Sequence, residues 1–224
     1  MTAIIFDFDG VLIESEHVSA KQISATLTRL GHPTTVDQAL DAFTGLGGQD
    51  FLDAVAAHTG IGIPDGFVAA RQAEDARVVA EGVAEVAGAA AYVHSLPADL
   101  PIAIASSSTT HWLRAHLDHL GLRERFEPHI YSGREHVARG KPAPDIYLYA
   151  AAQLGIPIAD CVIVEDSVVG VIGALASGAR VLGFAAGRHC RHGHADRLRE
   201  RGVSDVAHSF ADVAALIADG DPAG

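Results

Sequence analysis

The sequence predicts an α/β fold: a parallel sheet with helices between its strands and a helical insert after the first strand. Three observations carry this. Short apolar runs ending in acidic or hydroxyl residues recur along the chain, segments of helical periodicity separate them, and residues 14–84 hold helical segments with no strand-like run. Strands alternating with helices imply parallel pairing and right-handed crossovers.

Residues 3–8 form a short apolar run that meets Asp7, Asp9 and Gly10, and they read as a buried strand. Segments 22–30, 36–43, 51–58 and 67–84 then read as helices. The expected division is therefore a core of 1–13 and 85–224 with a helical insert of 14–84. A second strand at 101–105 ends in Ser106-Ser107-Ser108, and shorter candidates lie at 129–132 and 205–208. Between them, Leu113, Leu117 and Leu120 share one helical face. Pro144 opens a further helix that Gly155 closes, with Ile146, Ala150 and Leu154 at i, i+4 and i+8. A strand at 161–164 ends in Glu165-Asp166. The helix 167–177 has Gly178 as its C-cap, and the strand 180–184 follows. Only the tail from Asp219 reads as disordered. In such sheets, ligands bind beyond the carboxyl ends of the strands, where these acidic and hydroxyl residues fall.

Composition narrows the function. The 224 residues are 49% hydrophobic, enough for a full core. Asp and Glu total 28 against 16 Lys and Arg, a formal charge of -12, the wrong sign for a nucleic-acid binder. An anionic ligand would therefore need a local cation or metal. Cys161 and Cys190 make no disulfide framework and fit a reducing compartment. No basic segment precedes the first apolar run, and no stretch of about 18 apolar residues offers a membrane span. The expectation is a cytoplasmic protein with neither nucleic-acid nor membrane partners.

Four elements carry candidate chemistry. Asp7 and Asp9 close a buried strand, where carboxylates need a cation or hydrogen-bond donors, although Asp-x-Asp-Gly also serves surface turns. Period-two alternation would point both the same way. Ser106 ends a strand with a hydroxyl and free amides that suit phosphate oxygens, or else caps the next helix. Lys141 lies in Gly-Lys-Pro-Ala-Pro-Asp, a loop stiffened by two prolines, as a positioned cation. Glu165 and Asp166 offer the hard oxygen ligands that Mg²⁺ takes, or a cap for the following helix.

Together these strings resemble the haloacid-dehalogenase-like hydrolase superfamily, in its β-phosphoglucomutase-like and sugar-phosphate phosphatase branch. The matching residues are Asp7-Phe-Asp-Gly-Val-Leu, Ile104-Ala-Ser-Ser-Ser, Gly140-Lys-Pro-Ala-Pro-Asp-Ile-Tyr and Val164-Glu-Asp-Ser-Val-Val-Gly. The resemblance spans nearly the whole chain and is loosest in the insert. It implies a Rossmann-like catalytic core with a helical cap at 14–84, and a Mg²⁺-dependent phosphatase acting on a small phosphorylated substrate, a sugar or sugar-acid phosphate. Asp7 would be the nucleophile, forming an aspartyl phosphate, and Asp9 the general acid and base. Ser106, Ser107 and Lys141 would bind phosphate. Mg²⁺ would be held by Asp7, the backbone carbonyl of Asp9, and Asp166, with Glu165 nearby or through water. A cation is required because each unit of like charge at about 4 Å costs about 4 kcal/mol at an effective dielectric near 20.

The alternative within the family is a phosphosugar mutase. The mutases carry a histidine ten residues after the acid/base Asp, where this chain has Ser19, and His17 points about 200° away on a helix. They also place an arginine three residues after a cap glycine, where Gly48 follows Gly45; Arg71 or Arg77 could substitute. A haloacid dehalogenase needs neither Mg²⁺ nor an acid at position 9. A non-enzymatic phospho-ligand domain has no use for Asp7, Asp9, Lys141 and Asp166 together. Gly45-Leu-Gly-Gly lies in helical surroundings and is no dinucleotide fingerprint, but reads as a flexible turn. Trp112 reads as a core or cap contact. Arg188-His-Cys-Arg-His-Gly-His reads as a solvated loop at the rim of the site, because a zinc centre would need a fourth ligand and two arginines interrupt the run.

Overall fold

The structure, a computed structural model, describes residues 3–46 and 48–219. In chain order it comprises β1 (Ala3–Phe6), α1 (Ser15–Arg29), α2 (Val36–Phe43), α3 (Gly48–Thr59), α4 (Phe67–Glu81), α5 (Ala89–Ser95), β2 (Ile102–Ser106), α6 (Thr110–Leu120), α7 (Arg123–Phe126), β3 (Ile130–Ser132), α8 (Asp145–Leu154), β4 (Cys161–Glu165), α9 (Val168–Ser177), β5 (Arg180–Phe184), α10 (His194–Glu200), β6 (Asp205–Ala207) and α11 (Phe210–Asp219). Asp219 ends α11; the rest of the segment expected to be disordered, 220–224, lies outside the described residues, as does Gly47 of the glycine-rich turn.

The strands form one parallel sheet in the order β3-β2-β1-β4-β5-β6. Parallel sheets need both faces covered, and the near-continuous apolar runs of β1, β2 and β4 match that need. Ala3, Ile5, Ala103, Ala105 and Ile163 pack on one face with Ile146, Tyr147, Ala150 and Val171 of α8 and α9. On the other, Phe6 makes edge-to-face contacts with Tyr92 and Phe126, and Phe184 packs on Phe210. Each such fully buried side chain contributes roughly 2–3 kcal/mol. The chain order places β1 between β2 and β4, so successive connections leave it toward opposite edges. Its carboxyl end is the switch point at which α/β sheets bind ligands.

Two compact units result, one of residues up to Glu14 with those from Ala84 on, the other Ser15–Val83. The second unit is helical. Ala20, Ile23 and Leu27 recur at helical spacing on α1 and pack with Leu40, Phe43, Val55 and Phe67. Thr35 and Gln38 form a reciprocal capping box that starts α2. Among the described residues no helix is long and apolar enough to cross a membrane.

Candidate active site

The backbone of β1 runs one residue beyond the strand: Asp7 N donates to Val164 O at 2.9 Å, which fixes Asp7 against β4. Lys141, from the loop between β3 and α8, reaches in with its side chain only 5% exposed. Its ammonium donates to Asp7 Oδ1 at 2.5 Å and to Glu165 Oε2 at 2.7 Å. Glu165, at the end of β4, also accepts from the Tyr147 hydroxyl at 2.7 Å and from the Ser167 amide and hydroxyl at 2.9 and 2.7 Å. Its carboxylate lies under the first turn of α9, where a Cβ at Gly170 would come 2.1 Å from it. Ser167 caps that helix through Gly170 N.

Asp166 is buried beside this group. His189 Nε2 lies 2.7 Å from its Oδ2, while its Oδ1 is buried with no hydrogen-bond partner. Gly10 makes the approach possible. It has φ 85°, and a Cβ there would lie 2.1 Å from Asp166 Oδ2. His194 Nε2 donates to the Asp166 carbonyl at 2.7 Å, and Arg197 donates toward its Nδ1 at 3.3 Å. In the neutral form Nε2 thus carries the proton and Nδ1 is an unprotonated acceptor, and burial takes the His194 pKa down to about 4.

Three buried carboxylates face one ammonium, and the electrostatics follow. Burial, then the charge of Glu165, pushes Asp7 well above the usual carboxylate range, against the pull of Lys141. Burial and Glu165 do the same to Asp166. Burial would raise Glu165 too, but Lys141 and the donors around it hold it below the usual range. Burial would lower Lys141; Asp7 and Glu165 outweigh it and hold the ammonium well above its ordinary value. The group is short of positive charge. One ligand atom each from Asp7, Glu165 and Asp166 lies within 4.8 Å of the others. With the unpartnered Oδ1 of Asp166, this all-oxygen donor set fits a hard divalent cation such as Mg²⁺. Glu165's oxygens already accept from four donors, so Asp7 and Asp166 are the freer ligands.

Asp9 lies just past the paired part of β1, at the start of the turn through Gly10. Pairing of β1 with β4 ends at the Asp7 amide, and the chain then turns through Gly10. The Asp9 carboxylate accepts from Ser108 Oγ at 2.6 Å and Ser106 Oγ at 3.3 Å on Oδ2, and from the Trp112 indole N–H at 3.0 Å on Oδ1. Ser106 is buried and also accepts from Ser108 N at 3.0 Å, whereas Ser107 is exposed. The structure thus gathers Asp7, Lys141, Glu165 and Asp166, and sets Asp9 with Ser106.

Sequence reasoning missed Ser108, Trp112, Tyr147, His189 and His194. Trp112, expected as a core or cap contact, holds Asp9. The loop 188–194, expected to be solvated, is corrected in part: His189 and His194 are buried, whereas Arg188, its side chain 72% exposed and near Glu14, and His192 are exposed as expected.

Comparison with known proteins agrees with this geometry. The profile of the haloacid dehalogenase-like hydrolases matches residues 1–178. A haloacid dehalogenase-like protein of unknown function from Agrobacterium tumefaciens is 36% identical, with 98% of each chain covered and a TM-score of 0.87. A family hydrolase from Deinococcus radiodurans, solved with bound phosphate and sodium, is 34% identical over 98% of this chain and 96% of its own, with a TM-score of 0.84. The 6-phosphogluconate phosphatase of Escherichia coli is 24% identical over 84% of each chain. This chain belongs to the haloacid dehalogenase-like hydrolases.

Proposed function

We propose that the chain is a phosphatase that releases inorganic phosphate from a small phosphorylated metabolite, a sugar or sugar-acid phosphate, with Asp7 as nucleophile. The observation that carries this reading is the buried Asp7–Lys141–Glu165–Asp166 group at the carboxyl end of β1 and β4. Burial and the charge of Glu165 raise the proton affinity of Asp7, and a cation completing the site would offset them and leave its carboxylate ionised for attack. Asp7 and Asp166 would hold Mg²⁺, with Glu165 close by. Bound there, Mg²⁺ would screen the approach of an anionic ester and stabilise charge on the transferring group.

The chain's own residues supply the rest. Asp7 attacks phosphorus and forms an acyl phosphate as the ester oxygen leaves. Asp9 gives the leaving oxygen its proton, then takes one from the water that hydrolyses the acyl phosphate. Ser108 and Trp112 orient Asp9, and Glu165 with Tyr147 orients Lys141, which holds Asp7 and meets the phosphate's charge. Ser106 and Ser107 would line the phosphate pocket with the amides that follow. The helical unit Ser15–Val83 would serve as the cap that selects the substrate. The arginines that a mutase reading needs are already engaged there: Arg71 with Ser19, Gln22 and Asp75, and Arg77 with Glu74 and Glu81.

The test is hydrolysis of p-nitrophenyl phosphate, then of a panel of sugar and sugar-acid phosphates, in Mg²⁺ and in EDTA. Turnover that requires Mg²⁺ and releases phosphate supports the reading. Full activity in EDTA, or faster isomerisation than phosphate release on a sugar 1-phosphate, overturns it.

A further inference from the structure

The loop between β5 and α10 brings three soft ligands together. His189, Cys190 and His194 each offer one ligand atom, and these lie within 4.8 Å of one another. Cys190 Sγ is 3.2 Å from His189 Nε2, and that nitrogen is 2.7 Å from Asp166 Oδ2. The fourth ligand that the run 188–194 lacks is therefore offered by Asp166, the residue after β4. Cys190 and His194 are four residues apart, with His194 opening α10 after the left-handed Gly193. The His189 ring sits in a slot made by two glycines: a Cβ at Gly10 would come 2.9 Å from its Cε1, and one at Gly187 2.6 Å. Both imidazoles are buried and Cys190 is half-buried, so a bound ion would be shielded. Of the arginines in the run, Arg188 keeps its side chain in solvent.

Two imidazoles, a thiol and a carboxylate form a set that suits Zn²⁺ and not Mg²⁺, which prefers oxygen donors. We propose that His189, Cys190, His194 and the Asp166 carboxylate form a Zn²⁺ site, and that its occupation withdraws Asp166 from the Mg²⁺ site and stops the enzyme. The inhibitory half rests on the Mg²⁺ reading given under the proposed function; the binding half does not. On binding, Cys190 releases its thiol proton to solvent, and each imidazole presents an unprotonated nitrogen, that of His194 being the Nδ1 from which the Arg197 guanidinium withdraws. Thiolate and carboxylate then balance the two charges of the ion, leaving the buried site neutral.

Co²⁺ serves as the spectroscopic probe. The reduced wild-type chain is expected to take one equivalent of Co²⁺ with a thiolate-to-cobalt band in the near ultraviolet and tetrahedral bands in the visible, displaced by Zn²⁺. Cys190→Ser should lose the thiolate band and bind Zn²⁺ at least ~10-fold more weakly against a chromogenic chelator. Its Mg²⁺-dependent hydrolysis of p-nitrophenyl phosphate should be unchanged and at least ~10-fold less sensitive to Zn²⁺. Absence of the band in wild type, or equal Zn²⁺ affinity in wild type and Cys190→Ser, overturns the site. Mg²⁺ should also compete with Zn²⁺ in the chelator assay, which needs no turnover. A thiolate site whose Zn²⁺ affinity ignores Mg²⁺ overturns the sharing of Asp166 while leaving the phosphatase reading untouched.

Discussion

The two units of the chain treat charge in opposite ways. In the sheet unit, Asp7, Lys141, Glu165 and Asp166 are buried against one another. In the helical unit the buried polar residues are hydroxyls with local partners, such as Ser24 donating to Thr34 O at 2.7 Å. Its charges pair along α4 near the surface, as Arg77 does with Glu74 and Glu81. It also exposes Leu46, Ile61, Ile63 and Val68. Burying like charges costs several kcal/mol and persists where function requires it. The contrast separates a unit whose buried charges work against stability from one whose buried polar groups are neutral. Substitutions in the first should change activity strongly whichever way stability moves, and those in the second should change stability with little effect on the chemical step.

The largest expected effect is that of Asp7→Asn. Activity should fall by at least ~10³-fold, since an amide cannot attack phosphorus, while the metal-free protein becomes more stable to urea. The sign follows from the raised pKa of Asp7, caused by burial and Glu165. The folded chain binds that proton more tightly than the unfolded one, so the wild type gains stability as pH falls from above the folded value toward the ordinary carboxylate range. The stability gap between variant and wild type should therefore narrow on acidification. A residual rate near wild type, or a variant less stable than wild type at pH 8 without metal, would break the comparison.

Next comes Lys141→Met, which removes the ammonium that donates to Asp7 and Glu165. Breaking a buried pair on one side typically costs about 3–5 kcal/mol. Urea unfolding should show a loss of that order in EDTA, partly restored by Mg²⁺, which binds the folded state alone. A loss independent of Mg²⁺ would mean that the carboxylates do not share a metal.

How much of this was legible in the sequence depends on which chain neighbours fix each residue. Asp7, Ser106, Glu165 and Asp166 end strands, and strand ends are visible as apolar runs that stop. Lys141 was marked by its prolines. The strands came out within about two residues of their expected ends, because buried parallel strands read as apolar blocks. Trp112 could not be found this way: its bond to Asp9 exists because β2 pairs with β1, which the order of residues does not state. Tyr147 lies one residue from the apolar row Ile146, Ala150 and Leu154, and a buried hydroxyl seeking a partner was its only mark. In the 188–194 run, composition hid geometry, since Arg188 faces solvent while His189 and His194 face Asp166. The helical unit was legible as helices and illegible as a site, because its polar residues satisfy caps and local bonds.

A smaller effect is expected of Trp112→Phe. It keeps the ring and removes one donor to the carboxylate of Asp9. A hydrogen bond to a charged group is worth about 1.5–3 kcal/mol, so kcat should fall by roughly 10-fold or more with KM little changed. The loss should be greater for substrates with a basic leaving group, which depend on protonation by Asp9, than for p-nitrophenyl phosphate. Equal losses on both would sever Trp112 from the acid/base step.

The smallest expected effect belongs to the helical unit and tests its side of the contrast. Arg71 on α4 donates to Gln22 at 2.9 Å and Ser19 at 3.3 Å on α1, and pairs with Asp75 at 2.9 Å. The partners are neutral or half-exposed, so solvent screens most of the interaction. Arg71→Ala should cost about 1 kcal/mol of stability, through loss of the tie between α1 and α4. Hydrolysis of p-nitrophenyl phosphate should stay within about twofold of wild type, because none of these partners takes part in the chemistry. A mutase predicts otherwise, since a cation that grips the distal phosphate of a sugar bisphosphate is needed for turnover and not for folding. If Arg71→Ala lost more than ~10-fold in activity on a sugar phosphate while unfolding at the wild-type urea concentration, Arg71 would be a substrate-binding cation and the helical unit would hold buried chemistry of its own. The expected outcome is the reverse, a measurable shift in the unfolding midpoint and an unaltered rate.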